Sequence, residues 1–256
     1  MKRLGIIQSR GLGDLVIALP IAEYYRKQGW EIHWPICREF VSHMYRVAPQ
    51  IIWHPVTTDS TGYYFYDEPM RVLLEVGCDE IIPLYQALTN HPEFSQQNYF
   101  QHTKFDQYKY IRAEVPFYYK WQLKDCITRD RDREQALLEV IQDKLGGANE
   151  PYILVHVTGS THRAEFNTEI IPKDIPAVEI TEATDSVWDW CLALDQAHAV
   201  ILVDSVMANI VDQLALNSDD GRYFIPRSHI GLTPVLGQHW TWIDNLQLPT
   251  ASRTIA

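Results

Sequence analysis

Three short stretches hold the residues whose types and spacing can do chemistry. The first is Gly11-Leu12-Gly13-Asp14, set between the apolar run Leu4-Gly5-Ile6-Ile7 and the apolar stretch Leu15 to Leu19. It reads as strand, tight turn and helix start, which puts backbone N–H groups and one carboxylate at the carboxyl end of a first strand. In open α/β sheets that edge is where ligands bind. Asp14 has two readings. It is either an acid stabilising the helix dipole, worth about 0.3–1 kcal/mol, or a general base that takes the proton of an acceptor hydroxyl. Gly11 and Gly13 shape the turn, but the third glycine of a dinucleotide fingerprint is missing and no acid sits in the usual place after the second strand. An NAD-type site is therefore disfavoured.

The second stretch, Thr158-Gly159-Ser160-Thr161-His162-Arg163, comes after the apolar run Tyr152 to Val157. Small residues, hydroxyls and a cation after a strand can hold a diphosphate, with N–H and O–H groups donating and Arg163 supplying charge; a polar surface loop is the plain alternative. The third is Asp204-Ser205, which closes Ala199-Val200-Ile201-Leu202-Val203 and opens a helix through Val206, Met207 and Asn209. Free N–H groups at residues 205–207 make an anion site, unless Asp204 or Ser205 merely caps the helix. His156, His162, His198, His229 and His239 lack zinc-ligand spacing, so no metal is assigned. A nucleophile elbow, a P-loop and a His-Glu-x-x-His motif are all missing.

The elements that position these stretches come in two sets. Leu15 to Arg26 is spaced as a helix, with Pro20 implying a kink or a short first turn. Trp30 to Trp34 reads as a second strand, Arg38 to Val47 as a helix and Ile51 to Trp53 as a third strand, the doubly wound pattern. Tyr63-Tyr64-Phe65-Tyr66 is too aromatic for a plain linker. Val72 to Val76 reads as helix and Glu80 to Leu84 as strand. Residues 85–128 have weak periodicity, and their Lys104, Lys109, Arg112, Lys120 and Lys124 alternate with acids, the pattern of a solvated face. Asp132-Arg133-Glu134-Gln135 resembles a capping box opening a helix that ends at Gly146. A second α/β unit comes next: strands at 152–157, 177–180, 199–203 and 222–225, and helices capped at Asp185-Ser186 and running from Val206 to Leu216. Trp240, Trp242 and Pro249 lie in a tail expected to pack back across the cleft. The expected domains are residues 1–147 and 148–256, two doubly wound, Rossmann-like α/β units facing a cleft.

With 256 residues, 46% of them hydrophobic, the chain can bury a substantial core. No run approaches the roughly 18 apolar residues of a membrane helix. Met1-Lys2-Arg3 looks like a signal n-region, but Gln8, Ser9, Arg10 and Asp14 interrupt the apolar run after it, so the segment reads as a buried strand. The cysteines (37, 78, 126 and 191) contain no C-x-x-C pair and read as reduced, mostly buried thiols. A cytoplasmic protein is the expectation. The net charge of −11 is concentrated from Pro151 onward, where 5 Lys and Arg face 13 Asp and Glu. Such a chain lacks the basic footprint of nucleic-acid binding. Its eight tryptophans and fourteen tyrosines suit a cleft for sugars or bases.

Gly11-Leu12-Gly13-Asp14-Leu15-Val16 with Leu19-Pro20, then Tyr152 to His156 with Gly159-Ser160, then Val203-Asp204-Ser205 with Ala215-Leu216, together resemble GT-B-fold glycosyltransferases of the heptosyltransferase-like family. The resemblance implies a nucleotide-sugar donor as substrate, a glycan or other hydroxyl acceptor, and no cofactor. It also implies Asp14 as the base and Ser205, Val206 and Met207 as the diphosphate site. The sequence departs from the pattern at Val206, where the family has Gly, and at Asn209, where it has His. The family's lysine in the first loop of the second domain is replaced by His162-Arg163. Two alternatives stay open: a non-catalytic nucleotide- or sugar-binding protein of the same fold, and a phage-type DNA-base glycosyltransferase.

Overall fold

The computed structural model describes residues 1–57, 65–85, 103–147, 150–159, 163–181, 183–217, 221–227, 233–237 and 239–246. The first lobe is built on β1 (Lys2–Ile7), whose last four residues are buried. It is flanked by β2 (Trp30–Cys37) and β4 (Glu80–Pro83), with β3 (Ile52–Val56) at the edge, giving the order β3-β2-β1-β4. All pairings are parallel. A strand enclosed on both faces reads as a near-continuous apolar run, as Leu4 to Ile7 does.

Helix α1 (Leu12–Lys27) comes after β1 and runs on through Pro20, so the proline does not shorten it. After β2 the expected helix over 38–47 is only a 3₁₀ turn, Arg38–Phe40, and one α turn, α2 (Val41–Met44). Helix α3 (Asp67–Val76) starts five residues earlier than its periodicity indicates and ends at Gly77 in the left-handed conformation. The aromatic stretch is described only at Phe65 and Tyr66, which pack on Tyr108; Tyr63 and Tyr64 lie outside the described residues.

The middle of the chain is where the sequence misleads most. Helix α4 (Phe105–Arg112) and a kinked 3₁₀ segment (Phe117–Asp125) occupy it. Arg112 and Lys124 are exposed, but Lys109 and Lys120 are buried and Lys104 is half-buried, donating to Thr233 Oγ1 at 2.9 Å. The solvated face is therefore corrected. α4 and its C-cap bury Asp106, Lys109, Tyr110 and Ala113, a helical i, i+3, i+4, i+7 stripe half of which is charged.

Helix α5 (Arg131–Leu145) is capped by Asp130, which accepts from Arg133 N at 3.2 Å, two residues before the expected box. Glu134 is buried against Arg129 and Arg131. α5 packs on the second lobe, against the 3₁₀ turn Val187–Trp190 and helix α6 (Cys191–Gln196). That lobe is a five-stranded parallel sheet of β5 (Ile153–His156), β6 (Ala177–Glu179), β7 (Ala199–Val203), β8 (Arg222–Ile225) and β9 (Trp240–Trp242), ordered β6-β5-β7-β8-β9. Helix α7 (Val206–Leu214) comes after β7. Trp240 and Trp242 form the edge strand beside β8 instead of crossing the cleft, because β9 pairs with the row of backbone groups that β8 leaves open. Pro249 lies outside the described residues.

The lobes meet where α1, α7 and the 3₁₀ segment Phe117–Asp125 pack on one another, and one apolar core runs from Leu4 and Leu15 through Leu123 to Ile210 and Phe224. All four cysteines are free, Cys37, Cys126 and Cys191 buried. Among the described residues no helix is long and apolar enough to cross a membrane.

Candidate functional site

Each sheet changes winding direction at its first strand, β1 or β5, and loops at the carboxyl ends there diverge to leave room for a ligand. The three stretches named from sequence sit at these places: Gly11–Asp14 after β1, Thr158–Arg163 after β5, and Asp204-Ser205 after β7. Leu12 of the first, Thr158 and Gly159 of the second, and Val206 and Met207 just past the third line a cleft of about 670 Å³ between the lobes. Leu12, Ser42 and His43 form its first-lobe wall; His156, Thr158, Gly159, Val206 and Met207 belong to the second.

The turn is built around the carboxylate. Gly11 has φ +80°, and a Cβ on it would collide with Asp14 Oδ2. Only glycine satisfies both the left-handed backbone and the room that oxygen needs. Gly13 is one point of contact with the other lobe, since a Cβ there would be 3.6 Å from Val206 N and 3.4 Å from Asn209 Nδ2. Asp14 itself, 35% exposed, is not part of the cleft wall; its Oδ1 lies 3.0 Å from Lys109 Nζ on α4. Sequence reasoning missed Lys109 because its signal, a charged residue on the buried stripe of a helix, is invisible to hydrophobic periodicity.

The second-lobe half is a helix start left open. Ser205 is the N-cap of α7, yet its side chain makes no capping bond. Its hydroxyl instead meets His156 Nδ1 at 3.0 Å. Burial pushes the His156 imidazole down to about 4, so at neutral pH it is an uncharged hydrogen-bond partner. Asp204 is buried and raised to about 6, chiefly by desolvation, with Asp14 and Asp106 adding to the shift and Arg227 and Lys104 opposing it. Asn209 donates to Ser205 O at 3.0 Å, while its Oδ1 is buried with no partner among the described residues.

Arg163 is exposed and holds Glu179 through two hydrogen bonds, at 2.6 and 3.1 Å. Thr158 and Arg163 pair as an antiparallel bridge, which draws the two ends of the loop after β5 together. Ser160 and His162 lie outside the described residues, as does His229. Glu179 and Asp185 line the cleft, and among the described residues its wall has no lysine or arginine. No group of three or more His, Cys, Asp or Glu among the described residues is placed to hold a metal ion.

No protein-family model matches the sequence, and no curated protein matches it. Solved structures do. The family 9 glycosyl transferase of Veillonella parvula is 12% identical, with a TM-score of 0.60 over 95% of this chain and 87% of that one. The Escherichia coli heptosyltransferase WaaC, solved with ADP-2-deoxy-2-fluoro heptose, is 10% identical, with a TM-score of 0.53 over 94% and 92% of the two chains. The E. coli ADP-heptose lps heptosyltransferase II gives 10% identity and a TM-score of 0.51 over 95% and 90%. At such identities the likeness lies in architecture: two parallel sheets, each enclosed by helices, with a cleft between. The fold of this chain is the two-lobed GT-B fold of those glycosyltransferases.

Proposed function

We propose that this chain moves a sugar from a nucleotide-diphosphate donor to an acceptor hydroxyl, with inversion at the anomeric carbon and without a metal ion. The observation that supports this best is the contact at Gly13. It brings the Asp14 turn of one lobe against the start of α7 in the other, whose N-cap residue Ser205 makes no side-chain cap. A base and an anion-binding helix end are what a displacement at an anomeric carbon needs on its two sides.

In this reading the second lobe holds the donor. N–H groups of Ser205, Val206 and Met207 receive the diphosphate, with Thr158, Gly159 and Arg163 along the other side. Asp204 and Asn209 border the same helix end. The acceptor oxygen bonds to the anomeric carbon from the face opposite the diphosphate as its proton passes to Asp14. The bond from that carbon to the phosphate oxygen breaks, and its electron pair leaves with the nucleoside diphosphate. Preorganised backbone dipoles take up the charge that develops there. The neutral His156 ring fixes the Ser205 hydroxyl.

A second reading, a protein that binds a nucleotide sugar without transferring it, draws on the acidic lining of the cleft and on Arg163 being held by Glu179. Calorimetry with a panel of nucleotide sugars, followed by transfer and hydrolysis assays with and without EDTA, separates the two. Turnover that survives EDTA and is lost in Asp14→Asn, with donor binding retained, supports transfer. Tight binding with no turnover supports the second reading, and a failure to bind any donor removes both.

A further inference from the structure

We infer that Lys109 is a positioning residue for Asp14: a buried ammonium, braced by Gln8, that occupies one carboxylate oxygen and leaves the other to take the acceptor's proton. The inference rests on the reading of Asp14 as general base. Lys109 Nζ lies 3.0 Å from Asp14 Oδ1, 2.7 Å from Gln8 Oε1 and 3.4 Å from Leu84 O. An ammonium has three protons to donate, and here three oxygens surround it. Gln8 is buried, and its amide nitrogen donates to Arg10 O at 2.8 Å, which turns its carbonyl oxygen toward Lys109. The Phe105 ring stands 5.9 Å from Nζ on the helix that carries Lys109.

The lysine side chain is 4% exposed and the aspartate 35%, so the ammonium is fixed and the carboxylate remains reachable. Oδ2 is turned over Gly11, at the place a Cβ would occupy. A hydrogen-bonded oxygen on one side and a glycine on the other thus define one free oxygen. Two further titratable groups act at this corner: Asp204 from the end of β7, on which Arg227 and Lys104 also act, and the Tyr85 hydroxyl, which accepts from Arg10 N at 2.8 Å.

The test compares wild type with Lys109→Met, Lys109→Arg and Gln8→Leu. For sugar transfer by Lys109→Met, we expect kcat/KM to fall about tenfold or more at neutral pH, with donor KM unchanged. The acid limb of its pH profile is displaced upward from that of wild type, because the cation that faces the carboxylate is gone. Lys109→Arg restores part of the rate and of the limb. Gln8→Leu, which keeps the ion pair, shows the same displacement in smaller measure and gives the answer if Lys109→Met fails to fold. Carbon-13 titration of the Asp14 carboxyl in the same variants reads the charge coupling without any substrate. If the limb and the carboxyl titration stay where they are in the folded variants, the inference is overturned. If wild type transfers no sugar from any donor, the reading of Asp14 as base fails, while the carboxyl titration still decides whether Lys109 controls it.

Discussion

Helix α4 supplies two buried charges one turn apart, and they lead to opposite ends. Asp106 enters a sealed cluster, where it accepts from Lys120 Nζ at 2.9 Å and from Val235 N at 2.8 Å. Lys120 also donates to Val235 O and stands 3.8 Å from Asp212. Asp212 on α7 in turn accepts from Trp121 Nε1 and Trp240 Nε1, both at 3.0 Å, and from Gly237 N at 2.7 Å. One ammonium and two carboxylates, all with side chains at 0% exposure, tie the first lobe to the second. Lys109, three residues along, makes the other pair, in which the carboxylate is one-third exposed. The sealed cluster offsets its desolvation with hydrogen bonds on every side, as buried charges must. The open pair leaves one oxygen of Asp14 unspent. What distinguishes the sealed cluster from the corner proposed as reactive is the incomplete satisfaction of one group, since the chemical types are the same.

The comparison breaks most sharply at Asp14 itself. Asp14→Asn still accepts from Lys109 but cannot take a proton, so transfer should fall by about 10²–10⁴-fold with the melting temperature little changed. Lys120→Met should do the reverse. Stranding Asp106 and Asp212 without their cation costs on the order of 3–5 kcal/mol, read as a lowered urea midpoint. A Lys120→Met protein as stable as wild type would mean that the cluster is no lock.

Protonation gives a subtler test, because the second lobe carries a half-buried histidine and a buried aspartate whose shifts act in opposite senses. The His156 imidazole is held at about 4 against an ordinary 6.5. Its contribution is complete above pH 6.5 and drains as pH falls toward 4, at most about 3 kcal/mol. Asp204, raised to about 6 from 3.8, contributes fully below pH 3.8, and that contribution is lost as pH rises through 6. His156→Gln should therefore flatten the loss of stability between pH 6.5 and 4 seen in denaturation curves; an unchanged slope there refutes the burial of a neutral ring. The smallest effect belongs to Gly11→Ala. The left-handed backbone costs about 1–2 kcal/mol, and the new methyl pushes Asp14 Oδ2 aside. A drop in transfer without loss of donor binding is expected, measured as kcat against KM.

Much of this site is legible in the residues alone. Gly11 to Asp14 reads as a strand-to-helix turn because two glycines and an acid between apolar runs have few other conformations open to them, and Asp204-Ser205 reads as a helix start for the same local reason. The strands β1, β5 and β7 are apolar runs too short for helices, so they too show through. The helix of the middle segment does not. Its buried face carries Asp106 and Lys109, and their burial is settled by distant partners: Asp14 and Gln8 for the lysine, Val235 for the aspartate.

The sequence by itself determined the two α/β units, the succession of their strands from β1 to β8 and the turn that carries Asp14, because local sterics and hydrophobic periodicity act over a few residues. Only the tertiary structure decided that Ser205 spends its hydroxyl on His156 instead of capping its helix, and that the tryptophan tail extends the second sheet. It also decided that two lysines of an apparently solvated segment are buried. Charges are legible as buried only when the oxygens that satisfy them are in place, and those oxygens come from distant parts of the chain.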